Sequence, residues 1–113
     1  MCTKTEALII LKEAYESFNE EFPGQVRDAN LYGSFARGDY DNESDVDILL
    51  TVDAPPEEIS QYQKELSAIN SNLSLLHNVT VSATVKSKQL FDHYGEDLPY
   101  YKNVRREGIP YAG

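Results

Sequence analysis

Apolar residues recur at steps of three or four through the first part of the chain, at Leu8, Leu11, Ala14 or Tyr15, Phe18 and Phe22. That spacing predicts a helix over about Thr5–Glu21 with one apolar stripe for packing on a sheet, and with Glu13, Glu16, Glu20 and Glu21 mainly on the other side. Pro23-Gly24 stops it, and Val26–Tyr32 reads as a first strand. A second strand begins at Asp45 and runs into the aliphatic and β-branched residues Ile48–Val52. Between the two lies the polar, turn-rich segment Gly38–Ser44, a loop.

Asp53, two prolines and Glu57-Glu58 suggest a helix entry with Asp53 as cap, and Ile59, Tyr62 or Gln63, Leu66, Ile69, Leu73 and Leu76 keep the helical period to about Leu76. His77 then reads as a C-terminal cap or loop residue, since a cationic group suits that end; a catalytic histidine is the other reading. Val79, Val81, Ala83 and Val85 alternate with Thr80, Ser82 and Thr84, which predicts a strand over Asn78–Val85. Ser87 is expected to cap a short helix, Lys88–Tyr94, that Gly95 ends, and a last helix spans Pro99–Glu107 before Gly108. This order predicts an α/β (α+β) fold: a small mixed β-sheet of three or four strands with helices packed mainly on one face, the long middle helix crossing from one strand to the next.

At 113 residues the chain has room for one modest core, so residues 1–113 are read as a single domain. Nineteen acidic against ten basic residues give a net charge of -9, which argues against broad nucleic-acid binding because a phosphate backbone is held by clustered Lys and Arg. One cysteine, Cys2, excludes an internal disulfide framework and fits a reducing cytoplasm. The apolar cluster Ala7–Leu11 is too short for a signal peptide, and no run approaches membrane-spanning length.

Candidate chemistry concentrates in residues 31–50. Side chains alternate along a strand, so Asp45 and Asp47 face the same way, with Cα atoms roughly 6.5–7 Å apart, and can converge on one divalent cation or on two. Upstream, Gly33-Ser34 follows Leu31-Tyr32, and Ala36-Arg37-Gly38 comes next, as if a strand ended in a tight turn that opens a short helix. Such a turn suits phosphate: glycine admits close backbone approach, the serine hydroxyl and first-turn amides donate, and Arg37 adds a two-pronged donor. A phosphate cradle beside a carboxylate pair points to a metal with a nucleoside triphosphate. Asp39, Asp41 and Glu43 are read as hydrated loop acids rather than further ligands.

These residues resemble the signature of the minimal nucleotidyltransferases of the DNA polymerase β superfamily, in which Gly-Ser and a spacer of about ten residues precede Asp-apolar-Asp-apolar. Here the match is Gly33, Ser34, Ala36, Arg37, Gly38, then Ser44, Asp45, Val46, Asp47 and Ile48. The resemblance implies a polymerase β-like core, with Asp45 and Asp47 as catalytic metal ligands for Mg²⁺ or Mn²⁺, and ATP or another nucleoside triphosphate seated on Gly33, Ser34, Arg37 and the two carboxylates. It also implies a third carboxylate from the next strand, where rough alignment places Ser82 instead; neither Asp92 nor His93 is selected by spacing as a substitute. Asn103–Ile109 resembles the chain ends of small family members. Tyr94, Tyr100, Tyr101, Tyr111 and Arg105-Arg106 make this end aromatic and locally basic, for holding a base, a phosphate or a partner, or simply for helix packing with solvated arginines.

A stand-alone core this small looks like the nucleotidyltransferase half of two-gene modules whose other member is a helical HEPN protein. The resemblance implies an antitoxin that transfers AMP from ATP to a tyrosine of that partner. A catalytically silent module that acts by docking is the alternative, and small-molecule transfer such as antibiotic adenylylation is a third reading that would usually need an added acceptor domain.

Overall fold

The computed structural model describes residues 2–94 and 97–111. Helix α1 (Lys4–Glu21) starts at a Thr3 N-cap, whose hydroxyl accepts from the Glu6 amide at 3.2 Å. Strand β1 (Val26–Tyr32) follows, then the single turn α2 (Ser34–Arg37) and strand β2 (Val46–Val52). A 3₁₀ helix (Pro56–Tyr62) leads into α3 (Gln63–His77), after which come β3 (Val81–Ser87), α4 (Lys88–Tyr94), α5 (Pro99–Glu107) and the two-residue β4 (Ile109–Pro110).

The sheet order is β3-β2-β1-β4. β1 pairs antiparallel with β2 and with β4, whereas β2 and β3 are parallel and need the α3 crossover between them. This is the mixed four-stranded sheet expected from the sequence.

One face of the sheet, carrying Leu31, Val46, Ile48, Leu50, Val81, Ala83 and Val85, packs under α1 and α3 to make the main core. Aromatic packing closes its far end, where Phe18, Phe22 and Tyr62 meet with ring centroids 4.8–5.5 Å apart. The opposite face carries a smaller cover that the helical periodicity did not announce. There Leu49 packs with Phe91 of α4 and with Tyr101 and Val104 of α5. The main core thus has its helices on one side, as expected, while two short helices protect the other.

Several local expectations shift. The buried stripe of α1 is Ala7, Ile10, Leu11, Ala14 and Phe18, and Leu8 lies outside it with Ile9. Likewise α3 turns Leu66, Ile69 and Leu73 inward and leaves Leu76 exposed at its end. Asp53 caps no helix: it pairs with Arg27 across the sheet end, and Pro55 holds the N-cap position of the 3₁₀ turn. His77 closes α3 and bridges to α1, its Nε2 2.7 Å from Glu13 Oε2 and its Nδ1 3.5 Å from Glu6 Oε2, with Asn78 as the left-handed cap behind it. β3 begins at Val81 and runs on to Ser87, which is buried with no hydrogen-bond partner for its hydroxyl and so is no helix cap. The expected stop at Gly95 falls outside the described residues.

Candidate active site

β1 and β2 run antiparallel, so the C-terminal end of one meets the N-terminal end of the other, and Tyr32 stands opposite Asp47 in the register. Gly33 leaves β1 with φ +78° and serves as N-cap of α2. Two facts require glycine here. The positive φ disfavours any L side chain, and an added Cβ would lie 2.5 Å from Asp47 Oδ2. The Gly-Ser turn and the carboxylate are therefore in direct apposition, with the Gly33 backbone against the side chain of Asp47.

Asp45 is exposed just before β2, and Asp47 is half-buried one register step further on. Burial pushes the Asp47 carboxyl above its ordinary range, Asp45 adds to the rise, and Arg37 opposes it. Two neighbouring carboxylates, one of them half-buried, form a donor set suited to a hard divalent cation, with the remaining oxygen positions open to phosphate and water. Among the described residues no group of three or more His, Cys, Asp or Glu side chains converges. Ser82 is the β3 residue in register with Asp47.

Gly33, Ser34, Arg37 and Asp47 line a cleft of about 370 Å³ on the sheet face that α5 covers. Arg37 guards its mouth, bonded to Asp39 at 3.2 Å and to Glu107 at 3.3 Å. The other loop acids stay apart from it. Asp41 Oδ1 accepts from the Glu43 amide at 2.9 Å, and Asp41 and Glu43 line a separate, larger groove of about 580 Å³ beside Glu6 and His77.

The cleft's far wall is Tyr100, Asn103 and Glu107; the sequence offered Tyr100 for holding a base, a phosphate or a partner, but did not gather Asn103 and Glu107 into the site with it. The signal was present: positions i, i+3 and i+7 share one face of α5, while Tyr101 and Val104 take the face turned to the sheet. Of the remaining aromatic and basic residues, Tyr111 packs tilted against Tyr15 with centroids 4.8 Å apart and Arg105 lies 5.2 Å over the Phe91 ring, so both serve packing.

The family model described as nucleotidyltransferase domain matches residues 11–111. This chain belongs to that family. Among curated relatives of this nucleotidyltransferase domain are two Methanocaldococcus jannaschii proteins, MJ0604 and MJ0141, both named as candidate protein adenylyltransferases. The first is 33% identical over 98 residues, covering 87% of this chain and 90% of the relative; the second is 31% identical over 96 residues, covering 85% and 95%. The fold is similar to that of a candidate nucleotidyltransferase from Sulfolobus solfataricus, with TM-score 0.65 and 21% identity over 95% of this chain and 80% of the other. It is also similar to a chain of a toxin–antitoxin crystallised with AMP-PNP, with TM-score 0.55 and 16% identity over 88% and 71%, and to one of a mutant MntA–HpeT toxin–antitoxin, with TM-score 0.54 and 14% identity over 88% and 70%. At those identities the structural likeness establishes the shared fold.

Proposed function

We propose that this nucleotidyltransferase, a single domain over residues 1–113, moves AMP from ATP to a hydroxyl of a protein partner, and that the partner is the helical HEPN-type member of a toxin–antitoxin pair in the cytoplasm. The observation that carries the reading is the apposition of Gly33 and Asp47 within one cleft, which sets a turn suited to phosphate against the Asp47 carboxylate. The protein-adenylyltransferase names of the relatives support a protein acceptor, and the toxin–antitoxin neighbours, one of them with AMP-PNP, support the pairing and the nucleotide.

Asp45 and Asp47 would hold Mg²⁺ or Mn²⁺, and the donor chemistry described above fits it. Bound there, such a cation supplies charge neutralisation on the phosphoryl oxygens. The chain's own groups do the rest. Gly33, Ser34 and Arg37 hold the outer phosphates and steady the departing pyrophosphate. The acceptor oxygen bonds to the α-phosphorus as the bond to the β-bridging oxygen breaks. The acceptor proton goes to solvent, because β3 offers Ser82 in register with Asp47 and a neutral hydroxyl is a poor base. Phosphoryl-type transfer through a loose transition state leans on positioning and charge stabilisation more than on a strong base.

That same serine favours a second reading, a nucleotide-binding module that neutralises its partner by docking alone. Calorimetric titration of ATP with Mg²⁺ into the wild-type protein and the Asp45→Asn, Asp47→Asn double variant tests the site, with metal-dependent binding expected only in the wild type. Labelled AMP appearing on a co-expressed helical partner, and disappearing with Asp47→Ala, decides for transfer; binding without label decides for docking.

A further inference from the structure

Tyr100 is a large aromatic residue left about a third exposed, and its exposed part faces the cleft that also contains Gly33, Ser34 and Asp47. It is firmly braced. Its hydroxyl donates to the Tyr32 hydroxyl at 3.1 Å, and its ring meets Tyr32 edge-on at 5.6 Å. Behind it Tyr101 sits 5.3 Å away and rests in turn on Phe91 at 5.4 Å. Burial and the neighbouring phenols push the Tyr100 hydroxyl far above its ordinary range, so it stays neutral and is badly suited to act as a base or as an acceptor itself.

A fixed, neutral aromatic ring in a polar cleft is a surface for another flat π-system. One helical turn on, Asn103 shares the same face of α5, and its carbonyl oxygen accepts from Arg106 Nη2 at 3.2 Å. That bond turns the Asn103 amide N–H groups away from Arg106. The cleft is thus divided: phosphate-binding groups come from residues 33–47, while a ring and an amide donor come from α5.

We propose that Tyr100 and Asn103 form the nucleobase subsite of this cleft, Tyr100 as the stacking platform and Asn103 as donor to an unprotonated ring nitrogen, which selects adenine over guanine. Guanine carries N–H at the ring position where adenine offers a lone pair, so a donor discriminates between them. The inference rests on the reading of the cleft as a triphosphate site and deepens it.

Inorganic tripolyphosphate has the phosphates of ATP without its base, so titrating both ligands with Mg²⁺ separates the two halves of the cleft. In Tyr100→Leu, ATP binding should weaken roughly 5- to 100-fold with tripolyphosphate affinity unchanged. Tyr100→Phe, which keeps the ring, should hold ATP within about threefold. Asn103→Asp should shift the ATP-to-GTP affinity ratio toward GTP by about 3- to 10-fold. Unchanged ATP binding in Tyr100→Leu, or equal loss of both ligands, would overturn the stacking role. An unshifted ratio in Asn103→Asp would overturn the selection. A wild-type protein that binds neither ligand would bring down the triphosphate reading itself, and the subsite with it.

Discussion

Ile48 and Leu49 are neighbours in β2, both without exposed surface, yet they belong to opposite faces of the sheet. Among the described residues, Ile48 joins a core of twenty buried residues under α1 and α3. Leu49 joins a cluster of four, whose partners Tyr101 and partly buried Tyr32 also brace the cleft. The main core and the bracing of the cleft are therefore drawn from different sides of one strand. A thick core tolerates a gap without moving the site, whereas a thin one has no spare contacts and passes any loss on to the cleft wall.

Paired substitutions put this to the test. Ile48→Ala should lower the unfolding free energy by about 2–5 kcal/mol in urea titrations while ATP affinity of the folded protein stays within twofold. Leu49→Ala should fall at the lower end of that range, about 2 kcal/mol, yet weaken ATP binding. Equal effects on ATP from both would erase the distinction between the faces. Gly33→Ala sits between them. The backbone at φ +78°, ψ -156° costs about 1–3 kcal/mol for a residue with a Cβ, and displacement of the Asp47 carboxylate should abolish metal-dependent ATP binding.

A pH series isolates the charged side of the cleft. The Asp47 carboxyl is held above its unfolded value, so between the two values the folded state binds more protons than the unfolded one. Its contribution in the metal-free protein is greatest at low pH and declines as pH rises from about 3.8, the ordinary value, through the raised one. Asp47→Asn should remove that decline, seen as a flatter difference in urea midpoint against pH. The smallest effect belongs to neither face: Leu75→Gln, at a residue 83% exposed, should change stability by no more than about 0.5 kcal/mol.

The longer elements and their order were legible because each carried its own period: helical in α1 and α3, strict alternation in β3, and a continuous apolar run in the central strand β2; the 3₁₀ turn before α3 and the two-residue β4 carried none. The facing of Gly33 and Asp47 was legible too, since a strand ending and a strand beginning at matched positions bring their ends together. Less visible was which apolar residues of a helix face inward. Leu8 and Leu76 satisfy the period as well as Ala7 and Leu73 do, and only the position of the sheet decides between them. Asp53 was misread as a cap because Arg27, a long-range partner, was out of view. Tyr100 stood out as aromatic, but its grouping with Asn103 and Glu107 was out of view for the same reason: they become one wall only when the chain returns to β1.

That return is made by β4. Ile109 pairs with Leu31 and Pro110 with Asn30, and the Tyr111 amide donates to the Ala29 carbonyl at 2.8 Å. Gly108 permits the junction, because a Cβ there would strike the Val104 carbonyl oxygen. Synthesis runs from the N-terminal side at about 5–20 residues per second, so α1, β1, β2, α3 and β3 emerge before the pairing that seats α5 can form. On a ribosome the Asp47 carboxylate is thus made seconds before its cleft has a second wall, and the cleft is closed only once the chain has returned to β1.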